Sequence, residues 1–265
     1  MVELYLLWAV VGLVGGLLAG WVGLGGGIII APLLLCVPPV LGLSPLDMKE
    51  VARLTIIQSL CSTAAAGVAH RRAQQVHVPL VVWMGTTIAA ASLGGAYFSE
   101  LHLVSSELLL GLFATMAIAA CLLMSCCPPD SQGEDKRAAS NEVSFSRTRA
   151  ATLALGVGFL GGMVGQSGAF LTIPLLIHVL RLPTRLAIGS SLGITFCAAL
   201  AGSFGKFFGG GPIIWPQVAV LVAGSLVGSQ LGSTLSHRVG ATYLRYVLAV
   251  LIGASAMRMW YHVLI

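Results

Sequence analysis

Apolar positions fall into ten blocks along the chain, near 4–22, 28–41, 51–69, 79–98, 107–126, 150–164, 169–180, 184–204, 213–235 and 243–263. Several reach the roughly 20 residues that a helix needs to cross a hydrocarbon core of about 30 Å. The pattern predicts an all-α polytopic membrane protein, five segments to each half. The segments at 28–41 and 169–180 are short, which suits half-helices better than full spans. The first block follows Met1, Val2 and Glu3 without a basic n-region or a small-residue cleavage site, and reads as a retained first helix.

The pattern repeats. GLLAGWVGLGGGIIIAPLL at 16–34 lies over GFLGGMVGQSGAFLTIPLL at 158–176 without a gap. Gly16, Gly20, Val22, Gly23, Gly26, Pro32, Leu33 and Leu34 match Gly158, Gly162, Val164, Gly165, Gly168, Pro174, Leu175 and Leu176. RLTIIQSL from Arg53 then faces RLAIGSSL from Arg185, and His70 falls near Lys206. Thr86, Ala90 and Gly94 face Gly224, Gly228 and Gly232, a small-residue stripe that lets helices approach closely. The domain reading is a membrane repeat over 1–126, a polar linker over 127–149 and a second repeat over 150–265.

Charge orients the repeats. Only 9% of residues are charged, against about 25% in soluble domains. The net charge of +5 sits in loops, as membrane topology requires, and gives no reason to expect a nucleic-acid partner. Arg71, Arg72, Lys136, Arg137, Arg147, Arg149, Arg181, Arg185, Arg238 and Arg245 occupy one set of loops; the loop at 99–106 has no Lys or Arg and that at 205–212 only Lys206. With the basic set inside, each half makes an odd number of crossings, so the halves are inverted and both termini lie outside. The six cysteines lie mostly in apolar runs and read as packing residues, with no metal or cofactor expected.

Each repeat places a glycine-rich break where a membrane helix should continue: Gly25, Gly26 and Gly27 in the first, Gln166, Ser167 and Gly168 in the second. Glycine costs about 1 kcal/mol against alanine within a helix. A helix stopped inside the membrane exposes backbone that lipid cannot satisfy, so the break must face protein or a wet cavity. The helix that restarts points free N–H groups and partial positive charge at that cavity. Two such breaks converging near the midplane make a site for a small anion. All nine acidic residues lie at or before Glu142 and none falls mid-segment, which disfavours a cation carrier. Neutral donors are at hand in Thr55, Gln58 and Ser59 against Ser190, Ser191 and Thr195. Arg53 and Arg185 offer guanidinium forks for oxyanions, and His70 and Lys206 are candidates for coupling a proton to transport. No nucleophile–base pair or metalloenzyme motif is discernible, so the protein is not expected to be an enzyme.

The paired glycine motifs, the prolines after them and the polar segments beginning at Arg53 and Arg185 resemble the TauE/SafE sulfite exporter family. The resemblance covers the chain outside the linker. It implies a carrier of the bacterial inner membrane that exports sulfite or a small organosulfonate such as sulfoacetate. The second break, Gly165-Gln166-Ser167-Gly168, departs from the pure glycine cluster of the first. A small-anion channel of the same architecture would use the same dipoles and is the alternative.

Overall fold

The computed structural model describes residues 2–22, 27–40, 42, 45–72, 75–101, 103–126, 147–210, 214–238, 250, 253 and 257. Among these the chain forms the helices α1 (Val2–Val22), α2 (Gly27–Val40), α3 (Met48–Arg72), α4 (Val78–Glu100), α5 (Ser106–Cys126), α6 (Arg147–Val164), α7 (Ala169–His178), α8 (Thr184–Phe208) and α9 (Trp215–Arg238). Five of them, α3, α4, α5, α8 and α9, contain stretches long and apolar enough to span a bilayer. The protein is a multi-pass membrane protein. Its surface is apolar, as at Leu6, Val82, Phe208 and Leu231, while Thr55, Gln58, Ser62 and Thr195 are buried. A soluble protein has the opposite distribution of buried polar and exposed apolar side chains.

Local chemistry fixes several ends. At the start of α3 the Glu50 carboxylate accepts from the Asp47 N–H, the returning half of a capping box, and the Asp47 carboxylate accepts from the Met48 N–H. His77 caps α4 by accepting from the Leu80 N–H; burial holds its imidazole below the usual histidine range, favouring the neutral form that can accept. The short helices restart at equivalent repeat positions, Gly27 and Ala169, and each has a proline six residues in, Pro32 and Pro174. With 10 residues, α7 rises only about 15 Å and cannot span the core.

Packing between the halves is reciprocal. The first helix of each half lies along the fourth of the other: α1 on α9, and α6 on α4. Gly12, Gly16 and Gly20 abut the backbone of Leu221, Ser225 and Ser229, while Gly224, Gly228 and Gly232 abut Ala9, Leu13 and Leu17. Gly158 and Gly162 likewise abut Ile88 and Ser92, and Gly95 abuts Phe159. The stripe expected at Thr86, Ala90 and Gly94 is therefore displaced. Thr86 and Ala90 are exposed and a Cβ at Gly94 would meet nothing within 4 Å. The contact face of α4 runs through Ile88, Ser92 and Gly95, turned about 100° per residue from the expected one.

A buried ion network ties α3, α4 and α8. Arg53 grips Glu100 in bidentate fashion, Nη2 to Oε2 at 2.7 Å and Nε to Oε1 at 3.2 Å. Lys206 Nζ lies 3.2 Å from Glu100 Oε1 and also donates to Ser99 Oγ at 2.6 Å and the Met163 carbonyl at 3.3 Å. At the other end of α3, His70 is fully buried, its Nε2 3.2 Å from the Gly20 carbonyl and its Nδ1 2.9 Å from Gln75 Oε1. Each half thus sets a basic side chain from its third segment against a carbonyl just before its glycine break. Helix α6 begins at Arg147, inside the expected linker limit of 149. The rest of the linker and nearly all of the final segment at 243–263 lie outside the described residues.

Two stability measurements check this packing. Gly16→Leu should unfold or strongly destabilise the protein, because a side chain there meets backbone atoms of Ser225 that have no room to yield, whereas Gly94→Leu should change stability by about 0.5 kcal/mol or less. Glu100→Gln leaves two buried cations without their carboxylate and should lower stability by about 3–5 kcal/mol in a detergent melt.

Candidate functional site

One face of α3 carries Thr55, Gln58, Ser59, Ser62 and Thr63, all essentially inaccessible. Spacings of three, four, seven and eight bring these residues onto one stripe. Part of the stripe is internally satisfied. Ser62 and Thr63 donate to the Ser59 carbonyl, and the Thr55 hydroxyl lies 2.8 Å from the Val51 carbonyl and 3.1 Å from the Gly165 carbonyl. The middle is not satisfied: both amide atoms of Gln58 and the Ser59 hydroxyl are buried without a hydrogen-bond partner. Buried polar groups are paired in more than about 90% of cases, and an unpaired one in a membrane bundle is dearer still.

The second break supplies more such atoms. Gly165, Ser167 and Gly168 all have left-handed backbone, with φ of 78°, 53° and 66°. Glycine takes that conformation freely, but for Ser167 it is strain of order 1–3 kcal/mol, which marks the turn as over-determined by its surroundings. A Cβ on Gly165 would strike the Ala52 backbone, and one on Gly168 would strike Val157. The Ser167 hydroxyl and Gln166 Oε1 are buried and unpartnered, while Gln166 Nε2 lies 3.4 Å from Thr55 Oγ1. Gln166 Oε1 also occupies the place where a side chain on Gly27 would project. The start of α2, just past the first break, thus touches the side chain of the second break. Residues Ala169 and Phe170 open α7, and their N–H groups have no carbonyl four residues back within the helix.

The remaining expected residues divide. Gly25 and Gly26 lie outside the described residues. On α8, which packs against α3, Thr195 Oγ1 is buried and unpartnered. Ser190 accepts from the His77 N–H at 2.9 Å and Ser191 donates to the Ile188 carbonyl at 2.7 Å, so both hydroxyls have structural duties. Arg53 and Arg185, matched by the repeat, are treated differently: Arg53 is buried on Glu100, and Arg185 is exposed at the start of α8. His70 and Lys206 are both buried and bonded to carbonyls at the ends of α1 and α6.

Sequence reasoning missed Glu100. Its signal was present, a carboxylate closing an apolar run of more than twenty residues, but its partners come from segments 47 and 106 positions away. An apolar recess of about 310 Å³, lined by Ile57, Leu60, Leu200, Phe204 and Trp215, is separate in character. Among the described residues no three His, Cys, Asp or Glu side chains cluster as a metal would need.

Gln166 and Ser167 in the second break, Gln58 and Ser59 on α3 and Thr195 on α8 hold buried, unpartnered amide and hydroxyl groups, two amide oxygens among them. Such groups can hold a small polar ligand by hydrogen bonds.

Comparison with known proteins agrees with a transport role. The family model described as "Sulfite exporter TauE/SafE" matches residues 8–259. The chain is 24% identical over 261 residues to "Probable membrane transporter protein YunE" of Bacillus subtilis, covering 94% of each protein. It is 23% identical to "Probable membrane transporter protein MJ0441" of Methanocaldococcus jannaschii, covering 94% of this chain and 93% of that one. It is 32% identical over 119 residues to "Probable membrane transporter protein MamO" of Magnetospirillum gryphiswaldense, covering 42% of this chain and 19% of the other. No solved structure matches. With a described fold of apolar helices and a family match over nearly its whole length, this chain belongs to the TauE/SafE sulfite exporter family of membrane transporters.

Proposed function

We propose that the protein is a secondary carrier that exports a small sulfur oxyanion or organosulfonate, such as sulfite or sulfoacetate, across the bacterial inner membrane. The anion binds where the two glycine-rich breaks approach each other, at the N-termini of α2 and α7. The halves act as inverted repeats that expose this site alternately to either side, driven by the proton gradient. The observation that carries the reading is the pair of unpartnered groups at the helix starts, Gln166 Oε1 against Gly27 and the Ser167 hydroxyl just before α7, with further buried, unpartnered atoms at Gln58 and Ser59 on α3 and Thr195 on α8. Helix N-termini attract negative charge, and hydroxyl and amide donors complete an oxyanion's shell. The contact of Gly27 with Gln166 supports convergence of the breaks.

Arg53 is better suited to a supporting part than to direct binding, because Glu100 already takes the Nε–Nη2 edge of its guanidinium. Ser190 and Ser191 support the site by fixing the α3–α4 turn and the first turns of α8. The coupling roles of His70 and Lys206 fit their positions at the two carbonyl ends, since loss or gain of a proton there changes what each broken helix is tied to.

Single-cysteine labelling tests the inverted arrangement. Gln74 and Ser140 should react only from the cytoplasm, and Ser105 and Gly210 only from outside; labelling of Gln74 and Gly210 from one side would sink it. Liposome uptake of sulfite, sulfate, thiosulfate, sulfoacetate and acetate, with and without a pH gradient, tests the activity, and saturable gradient-driven flux separates a carrier from a channel. Ser59→Ala should weaken binding of the transported anion about ten- to a hundredfold, the worth of a lost bond to a charged ligand. It should leave the melting temperature unchanged or raised, since the hydroxyl has no protein partner to lose. Thr63→Val, which removes a bond to the Ser59 carbonyl, should do the reverse. A Ser59→Ala protein that melts early yet binds normally would remove this stripe from the site.

A further inference from the structure

The unpartnered atoms are not all donors, and that restricts what the site can hold. Gln58 is fully buried with both Oε1 and Nε2 unpaired, so whichever way its amide is turned it presents one acceptor as well as one donor. Gln166 has its orientation fixed by its neighbour. The single proton of Thr55 lies toward the Val51 and Gly165 carbonyls at 2.8 and 3.1 Å, leaving a lone pair toward Gln166. The amide nitrogen therefore turns to Thr55, at 3.4 Å, and Oε1 is directed at Gly27, the first residue of α2. Two buried carbonyl-type oxygens thus lack partners, Gln166 Oε1 at the start of α2 and that of Gln58 about one turn along α3 from Thr55. A fully ionised oxyanion has nothing to donate to them, and its oxygens are repelled by theirs.

Resting on the anion-carrier reading above, we infer that the cargo is bound as its hydrogen-anion: a small oxyanion of charge −1 that keeps one O–H. The ionised oxygens take the helix N-termini, Ser59, Ser167 and Thr195. The O–H donates to Gln166 Oε1 or Gln58 Oε1. A site built to bond a ligand hydroxyl rejects the analogue without it, because its own buried polar atom is then left unpaired. The dianion is rejected twice over, for its missing donor and its second charge in a low-dielectric interior.

An exported hydrogen-anion takes its own proton outward, against the pH gradient, while the inside-negative potential expels its single charge; coupling to inward protons stays with His70 and Lys206. The hydrogen-anion carries its proton across and ionises in water on the far side, so that one HXO₃⁻ bound becomes one XO₃²⁻ and one H⁺ released. The buried ionisable groups on the helices packed here are Arg53 and His70 on α3, Glu100 on α4 and Lys206 on α8, with half-buried His178 closing α7. Glu100 is engaged by two cations. None needs to titrate for the cargo to carry its own proton out.

Equilibrium binding to the purified full-length protein, with sulfite and methanesulfinate as probes across a pH series, tests this. Methanesulfinate has a methyl group where hydrogensulfite has its hydroxyl, and it does not titrate in the same range. Hydrogensulfite should bind at least about tenfold more tightly than methanesulfinate. Affinity per total sulfite should fall about tenfold per pH unit above the ionisation of hydrogensulfite, while methanesulfinate stays flat. Any titration of the protein itself moves both probes together, so the difference between the two curves belongs to the ligand. Gln166→Leu should narrow the gap between the probes; if that variant does not fold, the wild-type pH series decides alone. Equal affinity for the two probes, or parallel pH curves, would overturn the inference while leaving an anion site standing. Binding of neither probe, nor of sulfate, thiosulfate or sulfoacetate, would overturn the anion reading with it.

Discussion

The fold depends on one constraint: backbone groups left open where a helix stops inside an apolar bundle must be satisfied by the rest of the protein. The second break meets it with close contacts. Gly165 sits on the Ala52 backbone, Thr55 bonds the Gly165 carbonyl, and Lys206 bonds the Met163 carbonyl just before it. Before the first break His70 bonds the Gly20 carbonyl. The residues that tolerate such proximity are glycines, which explains why glycine is concentrated in α1, α6 and α9 and in the breaks themselves.

The same constraint separates the charged residues from the neutral ones. Buried charges are tolerable only when paired, and the Arg53–Glu100–Lys206 network pairs them at one end of α3, α4 and α8. The buried amide and hydroxyl atoms of Gln58, Ser59, Gln166, Ser167 and Thr195, on α3, the second break and α8, are left unpaired. The carrier reading proposed above draws on that separation: neutral donors and helix dipoles, not a fixed cation, would hold the ligand. Helix α3 serves both parts, with Arg53 in the network and Gln58 and Ser59 a turn or more further along.

The asymmetry between the breaks is as informative as the likeness. The helices restart at matched positions, Gly27 and Ala169, but only the second break carries polar side chains in its turn. Gln166 spans the gap, reaching Thr55 with its nitrogen and the start of α2 with its oxygen.

The sequence by itself determined the class of the protein, its helical segments, the two-fold internal likeness and the composition of the polar set. Those are consequences of local properties: segment length against bilayer thickness, glycine against a continuing helix, hydroxyls and amides where lipid would demand Leu. Thr55, Gln58, Ser59, Gln166 and Ser167 were legible for that reason. Tertiary structure alone decided which of them were already used. Ser190 and Ser191 look equivalent to Gln58 and Ser59 in the repeat, yet they bond the His77 N–H and the Ile188 carbonyl. Arg53 and Arg185 look alike, yet only Arg53 is buried on Glu100. The packing face of α4 runs through Gly95 and not Gly94, because the partner helix α6, and no feature of α4 itself, fixes the rotation. Hydrogen bonds and ion pairs form between groups brought together by the fold, and a side chain's remaining capacity to bind a ligand is what those long-range partners leave unused.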